Sequence, residues 1–257
     1  MTPSELLKTN LIYGPSGAGK TFLCASFPRV AMLSSKREGG LETVEWMDPV
    51  AWYEPNKRPR MYAIENIADM MTRLYKDVFP LVKTGEVRTI CIELTFHADD
   101  AMRTMPVDDK NGWAKYANLE EHVVKVDELV KRVPGLRLVY NTLAMPEDSA
   151  KGTSGVLIPG KALARKIPAM TNLTGFLHAE DGSDGIERVL ELGAYGNYSP
   201  RHRYGARLPR RVRWRGPSCG YRDLEDLLLG RARTDDSGCV IREAPKVMSL
   251  PPLKTGA

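Results

Sequence analysis

Apolar and polar positions alternate between two periods along this chain. Leu11-Ile12-Tyr13 is a short apolar run that reads as a strand, and Phe22-Leu23-Cys24-Ala25 starts a helix that runs to about Phe27, where Pro28 breaks it. Arg29 to Ser34 reads as a second strand, followed by a turn at Glu38-Gly39-Gly40. Pro49, Pro55 and Pro59 mark Trp46 to Arg60 as an irregular excursion. From Ile64 to Val82 the apolar residues Ile67, Met70, Met71, Leu74, Val78 and Leu81 fall at helical spacing, with Pro80 expected to end or kink the helix. Arg88 to Leu94 has the pattern of a buried strand with an acid near its end.

The second half continues the alternation. Leu119, Val123, Val126 and Val130 give a helix over Trp113 to Val133, ended by Pro134-Gly135. Leu136 to Asn141 is another strand. Met145 to Pro159 is a polar loop, and Lys161 to Met170 a short helix. Thr174 to Ala179 and Glu187 to Leu192 read as late strands joined by a hairpin-like turn at Asp181 to Gly185. Tyr221 to Leu229 suggests a small terminal helix. Strands alternating with helices predict an α/β fold, a mostly parallel sheet with helices on both faces. The organisation expected is one core over residues 1–230 and a flexible extension over 231–257.

Between the first strand and first helix stands Gly14-Pro15-Ser16-Gly17-Ala18-Gly19-Lys20-Thr21, which fills the G-x-x-x-x-G-K-[ST] pattern of a phosphate-binding P-loop without mismatch. Its glycines let backbone N–H groups turn around a polyphosphate. Lys20 can reach the β- and γ-phosphates, and Thr21 can hold Mg²⁺. The second acid that such a site needs is usually an Asp after an apolar strand; here Glu93 holds that place, in Thr89-Ile90-Cys91-Ile92-Glu93. Asp99 and Asp100 lie too far beyond the strand end. Glu38 is the choice for orienting or activating water, against the plainer reading of a solvated turn glutamate. Asn141-Thr142, at a strand end, can sense the γ-phosphate or simply end the strand.

Composition narrows the classes. The 257 residues are 42% hydrophobic and 27% charged, enough for one α/β core. No apolar stretch reaches the length of a membrane span, and Met1 to Glu5 lacks the start of a signal peptide, so no membrane partner and a cytoplasmic location are expected. Cys24, Cys91, Cys219 and Cys239 form no C-x-x-C pair, and His97, His122, His178 and His202 show no metal-ligand spacing. The net charge is +5. Arg201, Arg203, Arg207, Arg210, Arg211, Arg213 and Arg215 fall in one segment without an acid, which suits nucleic acid or phosphate, or a solvated basic strand.

In this order, these motifs resemble the RecA-type ATPases, and within them the short phage RecA-like ATPases of single-strand annealing and recombination. The resemblance spans roughly residues 6 to 215 and includes Ile158-Pro159-Gly160-Lys161-Ala162-Leu163. It implies a RecA-like P-loop NTPase that uses ATP and Mg²⁺, with Glu38 as the water-activating glutamate and Glu93 as the metal-associated acid. It implies a DNA-contacting loop at Met145 to Pro159, although Lys151 is that loop's one base. It also implies single-stranded DNA, a ring or filament of identical copies, and a single-strand DNA-binding protein as partners. Arg201, Arg203 or Arg207 would reach the next subunit's nucleotide, and Tyr195, Tyr198 or Tyr204 would offer faces for base stacking or else pack within the fold. Leu94 stands where the family carries a hydroxyl, and Glu93 where an aspartate is usual. A nucleotide or small-molecule kinase, with the arginine segment as a lid, and a nucleotide-gated assembly module of low turnover are the competing classes.

Overall fold

The computed structural model describes residues 5, 7–36, 40–48, 52–54, 56–94, 114–145, 155–158, 161–182, 185–215 and 220–242. In chain order the strands are β1 Thr9–Gly14, β2 Val30–Ser35, β3 Arg60–Ile64, β4 Thr89–Glu93, β5 Arg137–Leu143, β6 Leu173–Gly182, β7 Gly185–Glu191, β8 Arg201–His202, β9 Arg211–Arg215, β10 Ala232–Thr234 and β11 Val240–Arg242. The helices are α1 Lys20–Ala25, α2 Gly40–Glu45, α3 Ile67–Arg73, α4 Phe79–Thr84, α5 Ala114–Arg132, α6 Lys161–Met170 and α7 Tyr221–Leu228.

The main sheet runs β3-β2-β4-β5-β1-β6-β7-β9, with β8 on β6. The first six strands in that order are parallel, and β7, β8 and β9 are antiparallel additions. The strand feeding the phosphate loop lies inside the sheet, and β5 alone separates it from the acid-bearing β4. This is the mostly parallel sheet with helices on both faces expected from the sequence. Apolar runs such as Thr89–Glu93 and Arg137–Leu143 suit strands covered on both faces. One core, with Leu23, Cys24, Val44, Leu190, Trp214 and Tyr221, lies on the side of α1 and α7. The other, with Leu74, Val78, Val126, Val130, Ile167 and Phe176, lies on the side of α3 to α6.

Several elements differ from the periodicity. The segment before Ile64 is not all irregular: Arg60–Ile64 pairs in parallel with β2 as the sheet's edge. An edge strand is half-buried and so carries no clean apolar run. The helix expected over Ile64 to Val82 begins at Ile67, where Asn66 accepts a 2.8 Å bond from the Asp69 N–H. It passes through a π-helical turn at Leu74–Val78 before α4. Pro80 falls where the π-helical turn passes into α4, and the helix runs on through it to Thr84 rather than ending. The C-terminal extension is partly ordered. β10 and β11 pair with each other, and Ala232 and Val240 pack on the core; residues 243–257 are outside the described residues.

Candidate functional site

The phosphate loop leaves β1 under a tight constraint. A Cβ on Gly14 would lie 1.9 Å from the Leu177 carbonyl oxygen of β6, so only glycine fits where these backbones close together. Pro15, Ser16 and Gly17 are exposed, while Ala18 is buried. Gly19 caps α1 at φ 91°, a left-handed conformation that glycine adopts without strain. No side chain caps that helix start, which leaves its N–H groups to the loop's own concavity. Lys20 is only 9% exposed, and its Nζ donates to the carbonyls of Gly14 at 3.0 Å and Pro15 at 2.7 Å.

Around this loop lies a cleft of about 460 Å³. Its walls include Lys20 and Thr21 from the loop, Glu93 from β4, Asn141 and Thr142 from β5, and Arg188 from β7. All the strand residues except Arg188 sit at the carboxyl ends of parallel strands, where such sheets hold ligands. The register sets Glu93 beside Asn141 and Asn141 beside Ile12. Asn141 is 7% exposed, and its Oδ1 is buried with no hydrogen-bond partner among the described residues. A buried acceptor of this kind, at the wall of a polar cleft, fits a bound group or water with a proton to donate.

Glu93 is oriented from the neighbouring strand. Ser34 Oγ donates to its Oε2, and the Ser35 N–H donates to the same oxygen at 3.4 Å. Leu94 offers no hydroxyl, and Ser34 supplies one from β2 instead. The start of α2 closes the same corner: a Cβ on Gly40 would lie 3.5 Å from Thr21 Oγ1 and 3.8 Å from Ser34 Oγ. Glu38, the expected water-activating residue, lies outside the described residues, as do Asp99 and Asp100. The donor set of Thr21 and Glu93, hard oxygens beside a buried lysine, suits Mg²⁺ with a polyphosphate. Behind the site, the Cys91 thiol is pushed well up, first by its hydrogen bond with Cys24 and then by burial, so it stays protonated.

The stem of the long loop is fastened to the sensor strand. Thr142 Oγ1 donates to the Leu157 carbonyl at 3.1 Å, the Leu157 N–H donates to Leu143, and the Met145 N–H donates to Gly155. Residues 146–154 and 159–160 lie outside the described residues. The tyrosines that the sequence offers for base stacking are built into the fold. Tyr198 stacks on Phe176 at 3.9 Å, Tyr195 on His178 at 4.8 Å, and the Tyr204 hydroxyl accepts from the Leu7 N–H at 2.8 Å.

The arginine segment divides. Arg211 pairs with Glu191 at 2.5 Å, and Arg213 with Glu187 at 2.5 Å and Glu180 at 2.7 Å. Arg215 lies 3.5 Å from Glu187. The segment contains no acid, yet β6 and β7 bring acids opposite it, a partnership that spacing along the chain does not reveal. Arg201, Arg203, Arg207 and Arg210 are exposed, and Arg203 donates to the Ala169 carbonyl at 2.7 Å. His178, Glu180 and Glu191 present ligand atoms within 4.8 Å of one another. Arg211 and Arg213 already compensate those carboxylates, which disfavours a cation there. Arg188 was missed by sequence reasoning, because a lone arginine in a late strand carries no motif.

No protein-family model matches this chain, and no curated protein matches it. Among solved structures, a KaiC-like protein from the hyperthermophilic archaeon Pyrococcus horikoshii is similar at 14% identity, over 82% of this chain and 87% of that one, with a TM-score of 0.47. Among the described residues, no helix is long and apolar enough to cross a membrane.

Proposed function

We propose that this chain binds ATP with Mg²⁺ in the cleft around Lys20 and hydrolyses it. The observation that carries this reading is the convergence of a complete phosphate loop with Glu93 and Asn141 on one cleft. Lys20 turns from the loop carbonyls to the β- and γ-phosphates, and Thr21 and Glu93 hold the metal directly or through its water. The metal neutralises charge that builds on the phosphates. Asn141 offers its buried acceptor to a water or hydroxyl beside the γ-phosphate, and Glu38 activates the attacking water. The Ser34 bond holds Glu93 in place, which offsets the extra methylene relative to aspartate.

The finer reading is a DNA-dependent ATPase of phage-type recombination, annealing or repair, working in the cytoplasm as a head-to-tail assembly on single-stranded DNA. A single-strand DNA-binding protein would be its partner there. Support comes from the fastening of the long loop to the Asn141 strand, which links the cleft to the loop, and from the exposed Arg201, Arg203, Arg207 and Arg210. The deciding experiment is the ATPase rate with and without single-stranded DNA, read beside mass in solution. Lys20→Ala should lower ATP affinity by about 100-fold or more, and Glu38→Gln should keep binding while hydrolysis falls by about as much. Unchanged turnover in Glu38→Gln removes that residue from its role. Phosphate transfer to a nucleotide acceptor instead of water makes the protein a kinase.

A further inference from the structure

Arg188 lies on the other flank of the cleft from the metal residues. Side chains alternate along β7: Leu190 joins the core with α1, while Glu187 and Glu191 meet the arginines of β9 on the opposite face. Arg188 therefore falls on the α1 side. Its neighbours in the sheet are Ala179 and Trp214, so its backbone is held within three paired strands. The guanidinium lies 5.5 Å from the centroid of the Phe22 ring. A Cβ on Gly19 would meet Arg188 Nε at 2.2 Å and Cδ at 2.7 Å, so the arginine runs directly along the backbone of the phosphate loop. The sheet order puts β4 and β5 on one side of β1 and β7 on the other. Glu93 and Asn141 thus bound the cleft at one end and Arg188 at the other.

We propose that Arg188 is a nucleotide-contacting residue of the same chain, binding the α,β-diphosphate that ATP and ADP share. This rests on the nucleotide reading of the cleft. A triphosphate in the loop directs its γ-phosphate toward Thr21, Glu93 and Asn141, and the opposite flank faces the rest of the molecule. A guanidinium is always charged, and its planar fork suits two phosphate oxygens at once. The Phe22 ring lies beside that fork and the strand fixes its root, which limits the side-chain freedom lost on binding. A cation acting on the diphosphate changes affinity for ADP and ATP alike, unlike one acting on the γ-phosphate, which ADP lacks.

The test uses the full chain with Arg188→Met, which keeps a long stem over Phe22 but removes the charge, and Arg188→Lys, which keeps the charge but loses the fork. Binding of ADP and ATP and the steady-state ATPase rate are measured beside wild type and Lys20→Ala, with thermal melting as the control for folding. We expect Arg188→Met to weaken ADP and ATP alike by about tenfold or more, and Arg188→Lys to recover part of it. ADP affinity equal to wild type in Arg188→Met overturns the proposal and makes Arg188 a packing residue. A fall in kcat with unchanged ADP affinity also overturns it, since the charge then serves the γ-phosphate. If Arg188→Met melts early, Arg188→Lys decides alone: ADP binding as in wild type, with no loss from the missing fork, counts against the proposal. Wild type that is folded yet binds neither nucleotide overturns the underlying reading instead, whereas loss confined to Lys20→Ala leaves that reading standing and Arg188 refuted.

Discussion

The parallel and antiparallel parts of the sheet handle charge in opposite ways. In β1 to β5 the polar side chains at and beside the cleft, Ser34, Glu93, Asn141 and Thr142, stand at or near the carboxyl ends of strands, and the interiors are largely apolar. In β7, β9 and β6, which is parallel to β1 but antiparallel to β7, the charges run along the strands: Glu180, Glu187 and Glu191 face Arg211, Arg213 and Arg215. A parallel strand covered on both faces must leave its unpaired polar groups to its ends, where a cleft can receive them. Antiparallel strands put residues directly opposite one another, so a carboxylate can meet a guanidinium across the ladder. The difference teaches that charge at the end of a buried strand points to a ligand, while charge repeated along a strand points first to its neighbour.

The seam between the two parts gives the largest expected effect. Gly14→Ala drives a methyl into the Leu177 carbonyl, and we expect a loss of about 3 kcal/mol in urea unfolding, with nucleotide binding reduced as the loop shifts. Stability and affinity both at wild-type levels would mean that the parts are not tightly joined there. Arg211→Met comes next. It leaves the Glu191 carboxylate, 4% exposed, without its guanidinium, at an expected cost of about 2 kcal/mol. Adding Glu191→Gln should return most of that loss, and ATP affinity should hold throughout. A weaker salt dependence of DNA binding in Arg211→Met, with stability intact, would break the comparison by making a ladder residue a ligand contact.

The smallest effect sharpens the other side. Ser34→Ala removes the hydroxyl that orients Glu93, and the Mg²⁺ concentration for half-maximal ATPase activity should rise about tenfold. Folding stability should fall by no more than about 1 kcal/mol, the worth of one hydrogen bond. An unchanged metal requirement would leave Ser34 as an ordinary strand-end hydroxyl.

The phosphate loop, the strand ending in Glu93 and the strand ending in Asn141 were legible because each is local: a motif or an apolar run, read within ten residues. The helices over Ala114–Arg132 and Lys161–Met170 were legible for the same reason, their faces repeating at helical spacing. β3 was not, because an edge strand covered on part of its surface keeps no clear pattern. Nor was β9 fixed as a strand, since its alternate arginines look like a solvated surface until Glu187 and Glu191 are placed opposite.

The sequence by itself determined the loop that can hold phosphate, the alternation of strands and helices, and the acid and amide that end two of those strands. Those features depend on neighbours along the chain, whose geometry is set by backbone period and glycine. Only the tertiary structure decided that Ser34 orients Glu93 from 59 residues away, that three arginines of β9 meet acids on β6 and β7, and that Arg188 lies against Gly19. Each of those depends on strand order and register, which pairing across the sheet fixes and local spacing does not encode.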